Sequence, residues 1–366
     1  MRSARSIKIL TIISLATLGV SAVSALAFGT VSASIQKIDA FAGLDDRPDK
    51  TTSALNYLIV GSDTREGLSK AELAELRVGS VKSAAGKRSD TMLLVHISKA
   101  RDKAVIISLP RDTYALIPEH KNAQGKLIPA KYSKMNSAFN WGGAPLLIEV
   151  IENMTDLKID HYVEVNFAGF ADVVDALGGI EVCTKKDIDD PKSHLVLAAG
   201  VHNLNGIEAL KYVRTREFDG LGDIGRMQRQ QQFISSVLRK ATSAGVLLNP
   251  ITMVNFINSS LSAVITDSGL QSSDLITLAK QMKSLSTTKV RTLTVPLSNL
   301  YYNANGVTAS VLWDPVLAPE LWQRLKEDRA VIDEVTPSPS PSATTSATPI
   351  IVDKFKSKTA ADDPCK

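Results

Sequence analysis

Three short apolar runs in this chain each adjoin an arginine–aspartate pair, and this coincidence limits the fold more than any other feature. Residues 55–60 (LNYLIV) run into Gly61-Ser62-Asp63-Thr64-Arg65, and residues 104–109 run into Pro110-Arg111-Asp112. Arg88-Ser89-Asp90 leads straight into the third run, residues 91–97. Runs of this length, rich in β-branched residues and bounded by charge, read as buried strands. Charges pressed against strand ends belong to the rim of a sheet, where α/β proteins place their ligand sites. Taken singly, each motif reads as well as a surface ion-pair network.

The remaining pattern interleaves helices with strands. Residues 144–154, 167–177, 226–238, 273–285 and 318–329 have helical apolar spacing, with Ser273 as an N-cap and Gly178-Gly179 as a stop. Residues 162–165, 209–215, 290–295 and 307–313 read as strands. The alternation, without internal repeat, implies one layered α/β domain over residues 51–332. Apolar residues at 146–151 and 167–177 exceed one helix stripe; they suit a lipid channel, though core packing is the simpler reading. His161, beside Asp160, reads as a local hydrogen bonder.

The ends differ from the body. Arg2, Arg5 and Lys8 precede an uncharged stretch whose apolar part covers residues 9–31. About 23 helical residues reach roughly 35 Å, enough for a hydrocarbon core of about 30 Å. The cations ahead of it and Asp39, Asp45 and Asp46 beyond it orient residues 1–8 to the cytoplasm and the body outside, with 32–50 as a linker. A cleaved signal peptide is the competing reading, since 25–27 (ALA) and 31–33 (VSA) resemble cleavage sites. Residues 333–366 read as a disordered tail around the Pro/Ser/Thr tract TPSPSPSATTSATP. Outside the cell Cys365, near the end of that tail, either bridges to Cys183 or remains a free or intermolecular thiol.

Composition excludes several classes. The 42 Lys+Arg and 38 Asp+Glu leave +4, too near balance for a dedicated nucleic-acid binder. Two cysteines and five scattered histidines without an HExxH pair exclude a zinc ribbon, an iron–sulfur site and a histidine-centred metallohydrolase.

The densest charge lies downstream, in Tyr212-Val213-Arg214-Thr215-Arg216 and Gly222-Asp223-Ile224-Gly225-Arg226-Met227-Gln228-Arg229-Gln230. On a strand, Arg214 and Arg216 share one face and repel unless an anion lies between them. If Arg226 opens a helix, Gln230 lies beside it one turn on, and the free N–H groups there favour an anion. Arginine's planar fork suits bidentate phosphate contact. A solvated helix terminus is the plainer alternative.

Read in order, GSDTR, RSDT, PRDTY, MNSAF, YVRTR and GDIGRMQRQQ resemble the LytR–CpsA–Psr family of bacterial envelope proteins, over residues 56–240 and the preceding anchor. The resemblance implies a central mixed β-sheet flanked by helices, and a phosphotransferase on the outer face of the cytoplasmic membrane. Such an enzyme moves a glycopolymer from a polyprenyl-diphosphate carrier to peptidoglycan and releases polyprenyl phosphate. It further implies that Arg111, Arg214, Arg216, Arg226 and Gln230, with Arg88 close by, hold the diphosphate. Asp63 and Asp90 are implied to hold Mg²⁺ (or Mn²⁺), a hard cation suited to carboxylates. Asp223 reads either as the general base for the acceptor hydroxyl or as a helix N-terminal carboxylate. The chain departs from the pattern at Ser137 and Phe139, where the family usually has His and Tyr. Two other functions use the same residues: a metal-dependent lipid-pyrophosphate hydrolase, and a non-enzymatic polyprenyl-phosphate-binding regulator. The few residues ahead of the span disfavour a DNA-binding regulator.

Overall fold

The computed structural model describes residues 36–65, 67–76, 78, 89–122, 124–220, 222–243, 264–281, 285–335, 350–362 and 365. The expected span at 9–31, the tract at 336–349 and Arg88 lie outside these residues. Among the described residues, no helix is long and apolar enough to cross a membrane.

Eight strands make the central sheet, in the order β1 (Gln36–Ile38), β14 (Val264–Asp267), β9 (His161–Val165), β2 (Leu55–Ser62), β3 (Ser89–Ile97), β4 (Ala104–Leu109), β15 (Val290–Thr294) and β20 (Lys358–Thr359). The pairs β1–β14, β9–β2 and β4–β15 are parallel and the others antiparallel, so the sheet is mixed as expected. β4 is buried at every position, which explains its unbroken apolar reading: both faces are covered.

On one face, α2 (Asn136–Thr155) and α7 (Leu317–Lys326) pack over Leu58, Val60, Leu94 and Ile107. On the other, α5 (Gly222–Ser243) sets Ile234 and Leu238 against Leu93 and Ile106, and α6 (Ser272–Gln281) sets Leu275 and Leu278 against Tyr57 and Ile97. Each fully buried Leu or Ile contributes roughly 1.5–3 kcal/mol. A second core joins α1 (Lys70–Leu76), α3 (Phe167–Ala176) and α4 (Gly206–Arg214) to β10 (Ile180–Thr184) and β13 (Gly200–Leu204). There α4 starts against α3 so closely that a Cβ on Gly206 would lie 2.5 Å from the Ala171 carbonyl oxygen. Leu146, Leu147, Ile148, Val150 and Ile151 belong to the first core, and Ala171 and Val174 to the second, so these helices spend their apolar excess on packing.

Smaller antiparallel pairs decorate the body: β5 (Tyr114–Ile117) with β8 (Lys131–Lys134), β6 (His120–Lys121) with β7 (Leu127–Ile128), and β11 (Ile188–Asp190) with β12 (Leu195–Leu197). The hairpin β16 (Leu297–Ala304) and β17 (Val307–Trp313) and the pair β18 (Asp333–Val335) and β19 (Ile350–Val352) complete them.

Three expectations need correction. Residues 209–215 are not a strand but the body of α4, because Asn205 and Glu208 form a reciprocal capping box that starts a helix there. The linker at 32–50 is part of the domain from residue 36 onward: β1 joins the sheet, Ala40 is buried, and Arg47 makes a two-pronged ion pair with buried Glu152 at 3.0 and 2.6 Å. The tail is not wholly disordered either. After the tract it returns as β19 and β20, buries Phe355 and Ala360, and forms the Cys183–Cys365 disulfide with Cα atoms 5.8 Å apart.

Candidate functional site

The sheet register brings the three charged motifs to one end. Gly61 lies opposite Thr91, Met92 opposite Leu109, and Ser108 beside Thr294. Ser62 pairs with Ser89, so Asp90 is the extra residue of a β-bulge beside it. The backbone therefore sets positions 63 and 90 at the same end of neighbouring strands. The side chain of Asp90 lies outside the described residues.

The loop after β4 is tightly built. Thr113 is fully buried; its amide and hydroxyl donate to the Pro110 carbonyl at 3.0 and 2.7 Å, and the Trp313 indole N–H donates to its hydroxyl at 3.1 Å. The Asn136 amide donates to the Arg111 carbonyl at 3.0 Å, which gives the MNSAF segment a place beneath this loop. Arg111 is thus held at the rim by backbone contacts independent of its guanidinium.

Arg216 is placed by a carboxylate that the sequence reading missed. Asp190, nearly fully buried, accepts from the amides of Arg216 and Glu217 at 2.6 and 2.7 Å and from those of Lys192 and Ser193 at 3.0 and 2.7 Å. Burial raises its pKa, but the four amides outweigh burial and bring it down to about 2. Buried Arg229 braces the same loop. It pairs with Asp219, donates to the Thr215 carbonyl at 2.6 Å and lies 4.8 Å over the Phe218 ring. Gly220 and Gly222, at φ +73° and +53°, then turn the chain into α5 through the left-handed region that glycine adopts without strain.

Three guanidiniums meet one carboxylate where α5 begins. Asp223 lies 3.4 Å from Arg111 Nε, 3.4 Å from Arg216 Nε and 3.1 Å from Arg226 Nη2. Asp112 adds a contact to Arg111 at 3.6 Å and one to Lys134 at 3.3 Å. The contacts named here join four cations and two carboxylates. Arg226 is 4% exposed, and its Nε has no hydrogen-bond partner among the described residues.

Arg111, Asp223, Arg226 and Gln230 form the polar wall of a cavity of about 280 Å³, whose apolar wall includes Met92, Met227, Leu297, Leu300 and Val311. Three consecutive glutamines of α5, Gln230 to Gln232, divide their work. Gln230 faces the cavity and donates to the Val213 carbonyl at 3.3 Å; Gln231 donates to the hydroxyls of Ser108 and Thr294, and Gln232 to the Cys183 carbonyl. Arg214 ends α4 with its guanidinium 5.0 Å over the Phe167 ring, and it does not line the cavity. It is therefore not brought together with Arg216 in the way a shared strand face would require. Asp63 follows β2 and also lies outside the lining. Among the described residues, no group of three or more His, Cys, Asp or Glu converges as a metal site. Two acidic positions at one strand end are compatible with a magnesium ion that completes its shell with phosphate and water.

Comparison with known proteins agrees with this architecture. The LytR_cpsA_psr family model matches residues 25–315. "Probable cell wall biosynthesis protein LcpB" of Corynebacterium glutamicum is 34% identical over 276 residues, covering 75% of this chain and 62% of its own. Polyisoprenyl-teichoic acid–peptidoglycan teichoic acid transferase TagT of Bacillus subtilis is 38% identical over 162 residues, covering 43% of this chain and 47% of its own. The chain thus spans less than two thirds of the length of these relatives. The solved structure of TagT bound to LIIa-WTA superposes with a TM-score of 0.57 at 28% identity, over 79% of this chain and 98% of that one.

Proposed function

The chain belongs to the LytR–CpsA–Psr family, and from that premise we propose that it transfers a phosphoryl-linked glycopolymer from a polyprenyl-diphosphate carrier to a peptidoglycan hydroxyl. One observation carries the reading: Arg111, Arg216 and Arg226 converge on Asp223, and Arg111, Arg226 and Asp223 line one cavity. A diphosphate diester brings two negative charges to these cations and oxygen acceptors for Arg226 Nε, which has no partner among the described residues. Relatives named as teichoic acid transferases support the same substrate class.

The acceptor oxygen attacks the phosphorus next to the glycan, the bond to the bridging oxygen breaks, and polyprenyl phosphate departs. Phosphoryl transfer is mostly a matter of position and charge stabilisation. Arg111 and Arg226 hold the two phosphoryl groups, and Gln230 offers an amide donor from the next turn of α5. When substrate draws the arginines away, Asp223 is released from its three partners and accepts the acceptor's proton. Asp63 and Asp90 would hold Mg²⁺, which when bound neutralises charge developing on the phosphoryl oxygens. Residues 9–31 would hold the enzyme in the cytoplasmic membrane beside its lipid substrate.

The test incubates the protein with a polyprenyl-diphosphate glycan, Mg²⁺ and peptidoglycan. A covalent glycan–peptidoglycan conjugate, lost in Arg111→Ala, is the expected result. Glycan phosphate released into solution without conjugate would assign the site to hydrolysis instead.

A further inference from the structure

Tyr301 is 80% exposed, yet it lines the same cavity as Arg111 and Arg226. Scattered exposed aromatics are ordinary on protein surfaces. This one differs because the hairpin carrying it is built rigidly onto the arginine loop. The Val311 amide donates to the Asp112 carbonyl at 2.8 Å, and Val311 bridges Thr113 in parallel, so β17 and the residues after Arg111 move as one. Tyr302, the next residue along β16, meets the edge of Tyr114 at 5.1 Å, and Tyr114 stacks on Tyr132 at 4.8 Å. The Asn305 amide donates to the Tyr114 hydroxyl at 2.5 Å, and the Ser310 hydroxyl to the Tyr302 carbonyl at 2.7 Å. Tyr302 is thereby engaged by the body, while Tyr301 and the half-exposed Leu300 face the cavity mouth.

We propose that Tyr301 is a sugar-binding platform that receives the pyranose ring attached to the phosphoryl group held by Arg111 and Arg226, a subsite for the donor glycan. The inference rests on the diphosphate reading above. A pyranose presents one face of C–H bonds, apolar and weakly electropositive, which complements the negative face of an aromatic ring. The sugar is covalently tied to the phosphate, so an aromatic ring on the rim of the phosphate cavity is met by that sugar first. Tyrosine also loses little conformational entropy on contact, and here the hairpin has already fixed its backbone.

The experiment compares binding of geranylgeranyl diphosphate with that of the same lipid diphosphate bearing one N-acetylglucosamine, for wild type, Tyr301→Ala and Tyr301→Trp. Wild type should prefer the sugar-bearing ligand by about tenfold, the scale of one aromatic contact. Tyr301→Ala should abolish that preference and Tyr301→Trp keep it. A preference that survives in Tyr301→Ala, or one absent from wild type, overturns the proposal while leaving the diphosphate reading intact. So does a Tyr301→Ala defect confined to KM for peptidoglycan, which would assign the ring to the acceptor. Failure of wild type to bind geranylgeranyl diphosphate at all would sink the diphosphate reading, and the sugar subsite with it.

Discussion

Arg226 Nη2 lies 3.1 Å from Asp223 Oδ2, one turn back on the same helix, and the remaining reach of that carboxylate goes to Arg111 and Arg216. A carboxylate placed among three guanidiniums offsets their mutual repulsion and holds them in register. Replacing Asp223 with Asn should lower the melting temperature by the equivalent of about 1 kcal/mol at low salt, and less as salt screens the cluster. Inorganic pyrophosphate should restore it. A melting temperature indifferent to both the substitution and pyrophosphate would show that no anion site exists there.

Arg111 should behave differently from Arg229. The Arg111 loop is held through Thr113 and Asn136 rather than by its own side chain. Arg111→Ala should therefore cost on the order of 10²–10³ in transfer rate with little change in melting temperature. Arg111→Lys should recover only part of the rate, because lysine lacks the planar fork.

Arg229→Ala should do the reverse. It removes the guanidinium that pairs with Asp219 and the buried donor to the Thr215 carbonyl. Losing one half of such a pair costs about 3–5 kcal/mol. Chemical denaturation reads this directly, and near-wild-type stability would remove Arg229 from the scaffold that presents Arg216.

The acid limb of stability should carry a signature of Asp190. Its folded pKa of about 2 lies below the ordinary aspartate value. The group therefore stabilises the fold above the unfolded pKa, near 4, and loses that contribution as pH falls towards 2. The full contribution is on the order of 2 kcal/mol. Asp190→Asn should be destabilised at pH 7, and its deficit against wild type should shrink at pH 3.

Reduction of the Cys183–Cys365 bridge should lower stability by about 2–4 kcal/mol. The bridge ties the returning tail to β10, and Arg239 on α5 donates to the Ala360 and Asp362 carbonyls beside it. Cys365→Ser should melt at the same temperature with and without reductant, and wild type should fall to that value when reduced.

The sequence by itself determined the elements whose signal is local. Residues 55–60, 91–97 and 104–109 are strands, and their charged ends do share one rim, because strand periodicity and a boundary charge are readable within about ten residues. The capping box at Asn205 and Glu208 was equally readable, but the β-branched look of 209–215 concealed it, and the helix won because the cap satisfies amides a strand would leave open. Convergence is another matter. Arg111 and Asp223 meet only because β4 and β15 pair in one register and Gln231 ties α5 to Ser108 and Thr294 across their ends. The burial of Asp190 beneath Arg216, the return of residues 350–362 to the sheet edge and the pairing of Cys183 with Cys365 likewise join segments far apart in the chain. No local pattern encodes such contacts, since they follow from which surfaces remain to be covered once the sheet has formed.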